Sequence, residues 1–305
     1  RRRAVRQGEV YYFVVDGLDE VPDDEETKCG VFEMLPWGME GFRFIITGDY
    51  DTLRALVPRG FAAKSFHVPT FTLDETTRYL EGLNLDRNNV QELHNVCRGI
   101  PGHLTSARRI LLQKGMTVQQ LVDQAPQQLP SLFEIEWRDV DLSSTNQVMI
   151  LAILAHDKNS HYVADLGAVM GLSCDEITSL VCHLGFITIS TREGEVSYVS
   201  EAFRRFAAAQ LEHLRTAVYD AMISNLVASP ESDRALLMLP EYLRRSSRLD
   251  QLIEYLTDDH FAKMLTLSQS LAQVQHATRL GVDSALDLQR DDDLMRFGID
   301  GSLLH

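Results

Sequence analysis

The stretch Val14-Val15-Asp16-Gly17-Leu18-Asp19-Glu20 closes an apolar run that begins at Val10-Tyr11-Tyr12-Phe13. A continuous apolar run of this length suits a strand covered on both faces. In an open α/β sheet, ligands bind in the crevice beyond the C-terminal ends of the strands. Asp16 stands at such an end and is placed to hold Mg²⁺, directly or through water, because that ion takes oxygen ligands and keeps several waters. Asp19 and Glu20 follow on the turn, where one of them can polarise a water that attacks a γ-phosphate. Gly17 permits close approach of backbone to phosphate. The plainer reading is an acidic loop after an ordinary strand. The apolar run, the small residue and the later acid pair together favour a nucleotide site.

Working outward, Arg43 to Thr47 predicts a second strand and Lys64 to Val68 a third, with a crossover helix over Glu25 to Leu35. Alternating strands and helices are the rhythm of a parallel sheet. After Pro69 the texture turns helical. Thr72-Leu73-Asp74-Glu75 is a capping box opening a helix through Gly82. Asn89 to Arg98 predicts the next helix, ended by Gly99, and Pro101 forces a new start with a helix over His103 to Gln113. Gln124 to Pro130 reads as a linker, and Ser131 with Glu134 as a further box.

A helix–turn–helix and hairpin follow: helices over Asn146 to His156 and Tyr162 to Met170, a turn at Gly171-Leu172, and a helix capped by Ser173 and Glu176 that runs to Gly185. Strands over Phe186 to Thr191 and Val196 to Val199 complete a winged-helix pattern. From Glu201 only helices are expected: Ala217 to Leu226, Asp233 to Arg244, Arg248 to Thr257 and Asp259 to Gln275, with Asp291-Asp292-Asp293 capping a last one. The expected architecture is α/β followed by all-α. Residues 1–69 are expected to form a parallel α/β sheet, 70–128 a helical segment, 129–211 a winged helix, and 212–305 a TPR-like or α-solenoid region; the family resemblance set out below implies that 1–69 is the C-terminal half of a P-loop NTPase sheet and 70–128 its helical lid.

The 305 residues carry 44 acidic against 29 basic side chains, a net charge of −15. That balance argues against a protein whose main task is gripping nucleic acid, which needs clustered Lys and Arg. Cys29, Cys97, Cys174 and Cys182 are scattered without a CxxC pair, which suits reduced thiols in a cytoplasmic protein. Cys174, Cys182 and His183 read more simply as residues of one short helix than as a metal site. No apolar run approaches the roughly 20 residues that span a bilayer. Arg1-Arg2-Arg3 is basic but precedes no apolar segment of a secretory signal. The first residue is not Met, and a strand begins within a few residues of it, so the chain is expected to be cut from something longer.

Tyr12 to Glu20 resembles the Walker B motif of NACHT-type STAND ATPases, relatives of the AAA+ proteins. Phe44-Ile45-Ile46-Thr47 resembles the sensor 1 strand, Phe71 to Glu75 the entry to the helical lid, and Gly99-Ile100-Pro101 the GxP motif, whose proline packs near adenine in relatives. The winged helix and helical array follow in the family's order. The resemblance implies ATP or ADP with Mg²⁺ as cofactors. It assigns Asp16 to the metal, Asp19 and Glu20 to catalysis, and Thr47, Gly99 and Pro101 to the nucleotide. It implies a protein trigger on the C-terminal helices, homo-oligomerisation on activation, and a setting such as bacterial antiphage immunity.

Three departures stand out. GxxxxGK[ST] is absent and no Gly-Lys dipeptide occurs, so the phosphate loop is expected upstream and the isolated chain is expected to bind ATP weakly or not at all. Thr47-Gly48-Asp49 stands where the family has Thr-Ser-Arg, and a carboxylate beside a γ-phosphate adds repulsion. Ser200 stands where many relatives place a His on the β-phosphate of ADP. These changes point to a slow switch rather than a turnover enzyme. Two rivals remain. One is a degenerate scaffold. The other is a winged-helix DNA regulator, although the helix Cys174 to His183 carries two acids and no Lys or Arg.

Overall fold

A computed structural model describes residues 10–17, 35, 37, 39, 41–48, 53, 64–124, 130–157, 159–191, 194–230, 232–269 and 271–303. The chain divides into two compact units, Arg1–Pro69 and Thr70–His305. The described structure is mostly helical, with one small parallel sheet and one small antiparallel sheet.

In the first unit, β1 (Tyr11–Val15) pairs in parallel with β2 (Phe42–Ile46), Val15 opposite Ile46. The parallel sense agrees with a crossover connection between the strands. The covered central strand expected at 10–15 is not what is found. Tyr12 is 67% exposed and Val14 64%. A parallel sheet is buried by helices on both faces, and among the described residues only β2 flanks β1. Aromatic contacts do the packing here: Phe13 stacks on Phe44 at 5.6 Å, and Trp37 lies 4.4 Å from Phe44. The third expected strand, Lys64 to Val68, is irregular and exposed. Among the described residues no strand pairs with it to satisfy its backbone groups. The expected helix over Glu25 to Leu35 lies, apart from Leu35, outside the described residues.

The second unit opens with α1 (Leu73–Tyr79), whose capping box is complete in both directions between Thr72 and Glu75. A 3₁₀ turn (Glu81–Leu83) leads to α2 (Arg87–Cys97), capped by Asp86, then α3 (Pro101–Lys114) with Pro101 in its first turn. α4 (Val118–Gln124) was not foreseen, and α5 (Pro130–Trp137) follows. Most of the expected linker, 125–129, lies outside the described residues. Leu93, Leu104, Ile110 and Leu121 fill the core of this bundle. α5 is two-faced: Leu132 and Ile135 enter that core, while Phe133 and Trp137 pack on the next one.

The winged helix consists of α6 (Thr145–His156), β3 (His161–Tyr162), α7 (Val163–Met170), α8 (Cys174–Val181), β4 (Ile187–Ile189), β5 (Glu195–Tyr198) and α9 (Glu201–Gln210). The short β3 extends the hairpin to a sheet of order β3-β5-β4. α8 ends at Val181, four residues before the expected Gly185, because Cys182 to Leu184 form a turn that feeds the wing. The core is aromatic: Phe186 stacks on Phe203 at 4.4 Å, and Trp137 from α5 lies 5.8 Å from Phe186.

Six further helices complete the unit: α10 (Arg215–Val227), α11 (Asp233–Arg245), α12 (Leu249–Tyr255), α13 (Asp258–Ser268), α14 (Leu271–Asp287) and α15 (Asp291–Leu303). The single helix expected over Asp259 to Gln275 is two, because Gln269 adopts a left-handed conformation at φ +49° and stops α13. Asp291 to Asp293 occupy the first turn of α15, as their charge favours. Leu236, Leu239 and Leu243 of α11, with Leu252 and Ile253 of α12, share one buried cluster with the winged helix. Phe203 is fully buried at the centre of its aromatic cluster. Phe203→Ala is expected to cost about 3–5 kcal/mol, read by urea unfolding. A loss below about 1 kcal/mol would show that the cluster is not core.

Candidate functional site

Parallel pairing in register brings the ends of β1 and β2 side by side. The Thr47 N–H donates to the Val15 carbonyl at 2.9 Å and continues the ladder one residue past β2. The Thr47 hydroxyl then sits between two groups of the first strand's end. It accepts from the Gly17 N–H at 2.9 Å and donates to Oδ1 of Asp16. A hydroxyl has one proton and two lone pairs, so both bonds can form at once. Gly17 adopts φ +69°, a left-handed conformation that costs a glycine little. Asp16 is exposed. Its carboxylate is therefore oriented through one oxygen by a residue 31 positions away, while the group as a whole faces solvent.

Asp16 and Thr47, singled out separately from the sequence, are thus in contact. Asp19 and Glu20, the expected catalytic pair, lie outside the described residues, as does Asp49. Among the described residues no group of three or more His, Cys, Asp or Glu could hold a metal ion. A lone carboxylate is compatible with Mg²⁺, which is commonly held by one or two carboxylates together with waters and phosphate oxygens. It does not fit a tightly caged structural metal.

Gly99 and Pro101 lie in the second unit. Gly99 has φ +66°, and a Cβ there would stand 2.3 Å from the Phe71 carbonyl oxygen. The Phe71 N–H donates to the Gly99 carbonyl at 2.7 Å, and the Gly99 N–H to His94 O at 3.1 Å. The glycine thereby lets the segment entering α1 lie against the end of α2. Thr76 and His94 add a 2.9 Å side-chain bond across the same two helices. Pro101 supplies the fixed φ of a helix start, where its missing N–H removes no bond. Both residues therefore have a complete backbone rationale in addition to any contact with a nucleotide. His103 places its ring 6.4 Å from Phe133, and burial pushes its pKa down against the opposing pull of the Cys97 carbonyl.

The tempting cations are mostly committed. Arg109 forms a two-pronged pair with Glu136 of α5, at 2.7 and 3.1 Å. The Arg108 guanidinium lies 5.5 Å from the centre of the Tyr79 ring. Arg204 binds Glu201 at 2.6 Å and the Ala155 carbonyl at the end of α6, and Arg205 binds Glu201 at 3.0 Å. Cys97 is buried in an apolar setting that pushes its thiol up to about 12, so it is inert; Cys174 and Cys182 are exposed and free.

On the winged helix, α8 lines a shallow groove with Leu172, Leu180, Asp175, Glu176, Ser179 and Asn146. Its solvent face offers carboxylates where a DNA reader offers cations. Ser200 accepts from the Phe203 N–H at 3.2 Å and caps α9. Ser200, where the resemblance leads one to expect a His, is therefore spent on a helix cap.

One constellation escaped the sequence. Asp157, at the end of α6, has no exposed side-chain surface. It receives the Tyr242 hydroxyl on Oδ2 and the Asn159 amide on Oδ1 at 2.7 Å, with His161 Nε2 3.1 Å away. The spacing Asp157-x-Asn159-x-His161 after a long apolar helix was the available local signal. Nothing in it points to Tyr242.

No family model and no curated protein matches this chain. Among the described residues no helix is long and apolar enough to cross a membrane. Gly99→Ala must move the Phe71 carbonyl or abandon the left-handed turn. It is expected to lower the melting temperature and to raise amide exchange at Phe71 and Gly99. An unchanged melting curve would mean that the turn is not constrained in solution.

Proposed function

We propose that this chain belongs to a nucleotide-controlled signalling switch of the STAND ATPase class, with Asp16 as the Mg²⁺ ligand of an ATP or ADP site. The Thr47 hydroxyl bridging Asp16 and Gly17 across paired parallel strand ends is the observation that supports this most. A switch needs its metal carboxylate held in one orientation without a dedicated cage, and that arrangement does so. Bound nucleotide supplies the phosphate oxygens that complete the metal's shell. Thr47 keeps the carboxylate aimed, and Gly17 keeps a side chain out of the path of phosphate. Asp19 and Glu20 are the candidates for orienting the attacking water. Asp49, in place of a cation, and Ser200, spent on a helix cap, suit slow hydrolysis and weak retention of ADP. The same resemblance assigns Gly99 and Pro101 to the nucleotide as well. A protein trigger on the C-terminal helices then drives homo-oligomerisation by binding the open state more tightly. A cytoplasmic setting such as antiphage defence follows from the same resemblance.

The Ser200 cap also favours a second reading, a scaffold that keeps the architecture and has lost the nucleotide. Calorimetry of the native full-length protein with ATP separates the two. The switch predicts micromolar binding that requires Mg²⁺ and weakens at least about tenfold in Asp16→Ala, the scale of one lost charge-assisted contact. Absence of Mg²⁺-dependent nucleotide binding in the native protein would leave the scaffold.

A further inference from the structure

Asp157 lies where the winged helix meets the helical array, and both sides satisfy it. From the winged helix come Asn159, through its amide at 2.7 Å and its N–H at 3.3 Å, and His161 of β3 at 3.1 Å. The imidazole nitrogen is not aligned for a hydrogen bond. From α11 come the Tyr242 hydroxyl and the Arg245 guanidinium, the latter 3.8 Å from Oδ1. Asn159 also donates to the Tyr242 oxygen at 3.2 Å, so the two sides are bonded to each other as well. Behind Tyr242 stands Tyr219 of α10, its ring 6.3 Å away and its hydroxyl on the His156 carbonyl. Arg245 is held in turn by Glu241, which faces His276 of α14.

A charge with no solvent access tolerates displacement poorly, because losing one set of partners strands it in a low-dielectric interior. We propose that Asp157 pins the winged helix and the helical array into one mechanical body, so that a displacement of the array is passed to the winged helix. Asp157 is a positioning residue, acting through Tyr242 and His161. The apolar seam continues the joint, since α10 packs on both α6 and α7. Burial would raise the Asp157 pKa, but the neighbouring imidazole and the Tyr242 hydroxyl win, and it is held below the ordinary carboxylate value of 3.8. The joint's charge is therefore present above that value and is lost as pH falls through the lowered one. The proposal is independent of the nucleotide reading, since no nucleotide enters its test.

Hydrogen exchange of the native protein, resolved by segment, tests it. Tyr242→Phe is the mild variant and Asp157→Asn the direct one. Both are expected to raise exchange roughly tenfold in two segments together, 150–162 and 233–245, while 87–114 stays unchanged. Loosening of 233–245 alone, equal loosening of 87–114, or no change in either variant would overturn the proposal. Should Asp157→Asn fail to fold, the Tyr242→Phe comparison decides.

Discussion

The joint between the C-terminal helices and the helices before them depends on the buried carboxylate of Asp157 and its partners from both sides. Asp157 follows a helix whose residues Ile150 to Ala155 are all buried, so its side chain has no route to water. Leaving such a charge unpaired costs about 3–5 kcal/mol. The fold meets that cost by closing α11 onto it, with Tyr242 itself fully buried. Once α11 is fixed, α10 is trapped between it and the winged helix. The ion pairs Arg244–Asp287 and Arg248–Asp220 then tie neighbouring helices to the same frame. α5 does comparable work with apolar groups, sharing its two faces between the core of the α1–α4 bundle and the aromatic core that follows it.

Much of this was legible because local chemistry decides local structure. The capping boxes at Thr72 and Ser173 form as their spacing requires, and Pro101 begins a helix. The winged-helix order also follows from alternating patterns and turn residues. Less legible were elements set by neighbours. β1 forms although its faces are exposed, because β2 pairs with it, while Lys64 to Val68 pairs with no strand among the described residues and stays irregular. The break at Gln269 has no glycine or proline to announce it. The partnership of Asp157 with Tyr242 spans 85 positions and leaves no periodic trace.

The candidate site shows the same division. Asp16 and Thr47 were each marked by position at a strand end, and parallel register makes them neighbours. The single hydroxyl linking Asp16 to Gly17 could not be read from either residue alone. Gly99 was marked for a nucleotide, but its backbone already explains it, through the approach of Phe71. The winged helix keeps a reader's topology without a reader's charge. Asp175 and Glu176 stand on α8 and the chain carries a net charge of −15, the reverse of the clustered cations that grip a phosphate backbone.

The central claim is that the Asp16 carboxylate binds the metal of a metal–nucleotide complex. Mn²⁺ substitutes for Mg²⁺ at oxygen sites and reports its ligands magnetically. Pulsed electron paramagnetic resonance of the native protein, with ¹³C-labelled aspartate, Mn²⁺ and ATP, measures that contact directly. The account predicts a carboxylate ¹³C coupling that disappears in Asp16→Asn. A Mn²⁺–ATP spectrum without protein carbon coupling, or one unchanged by that substitution, would contradict it.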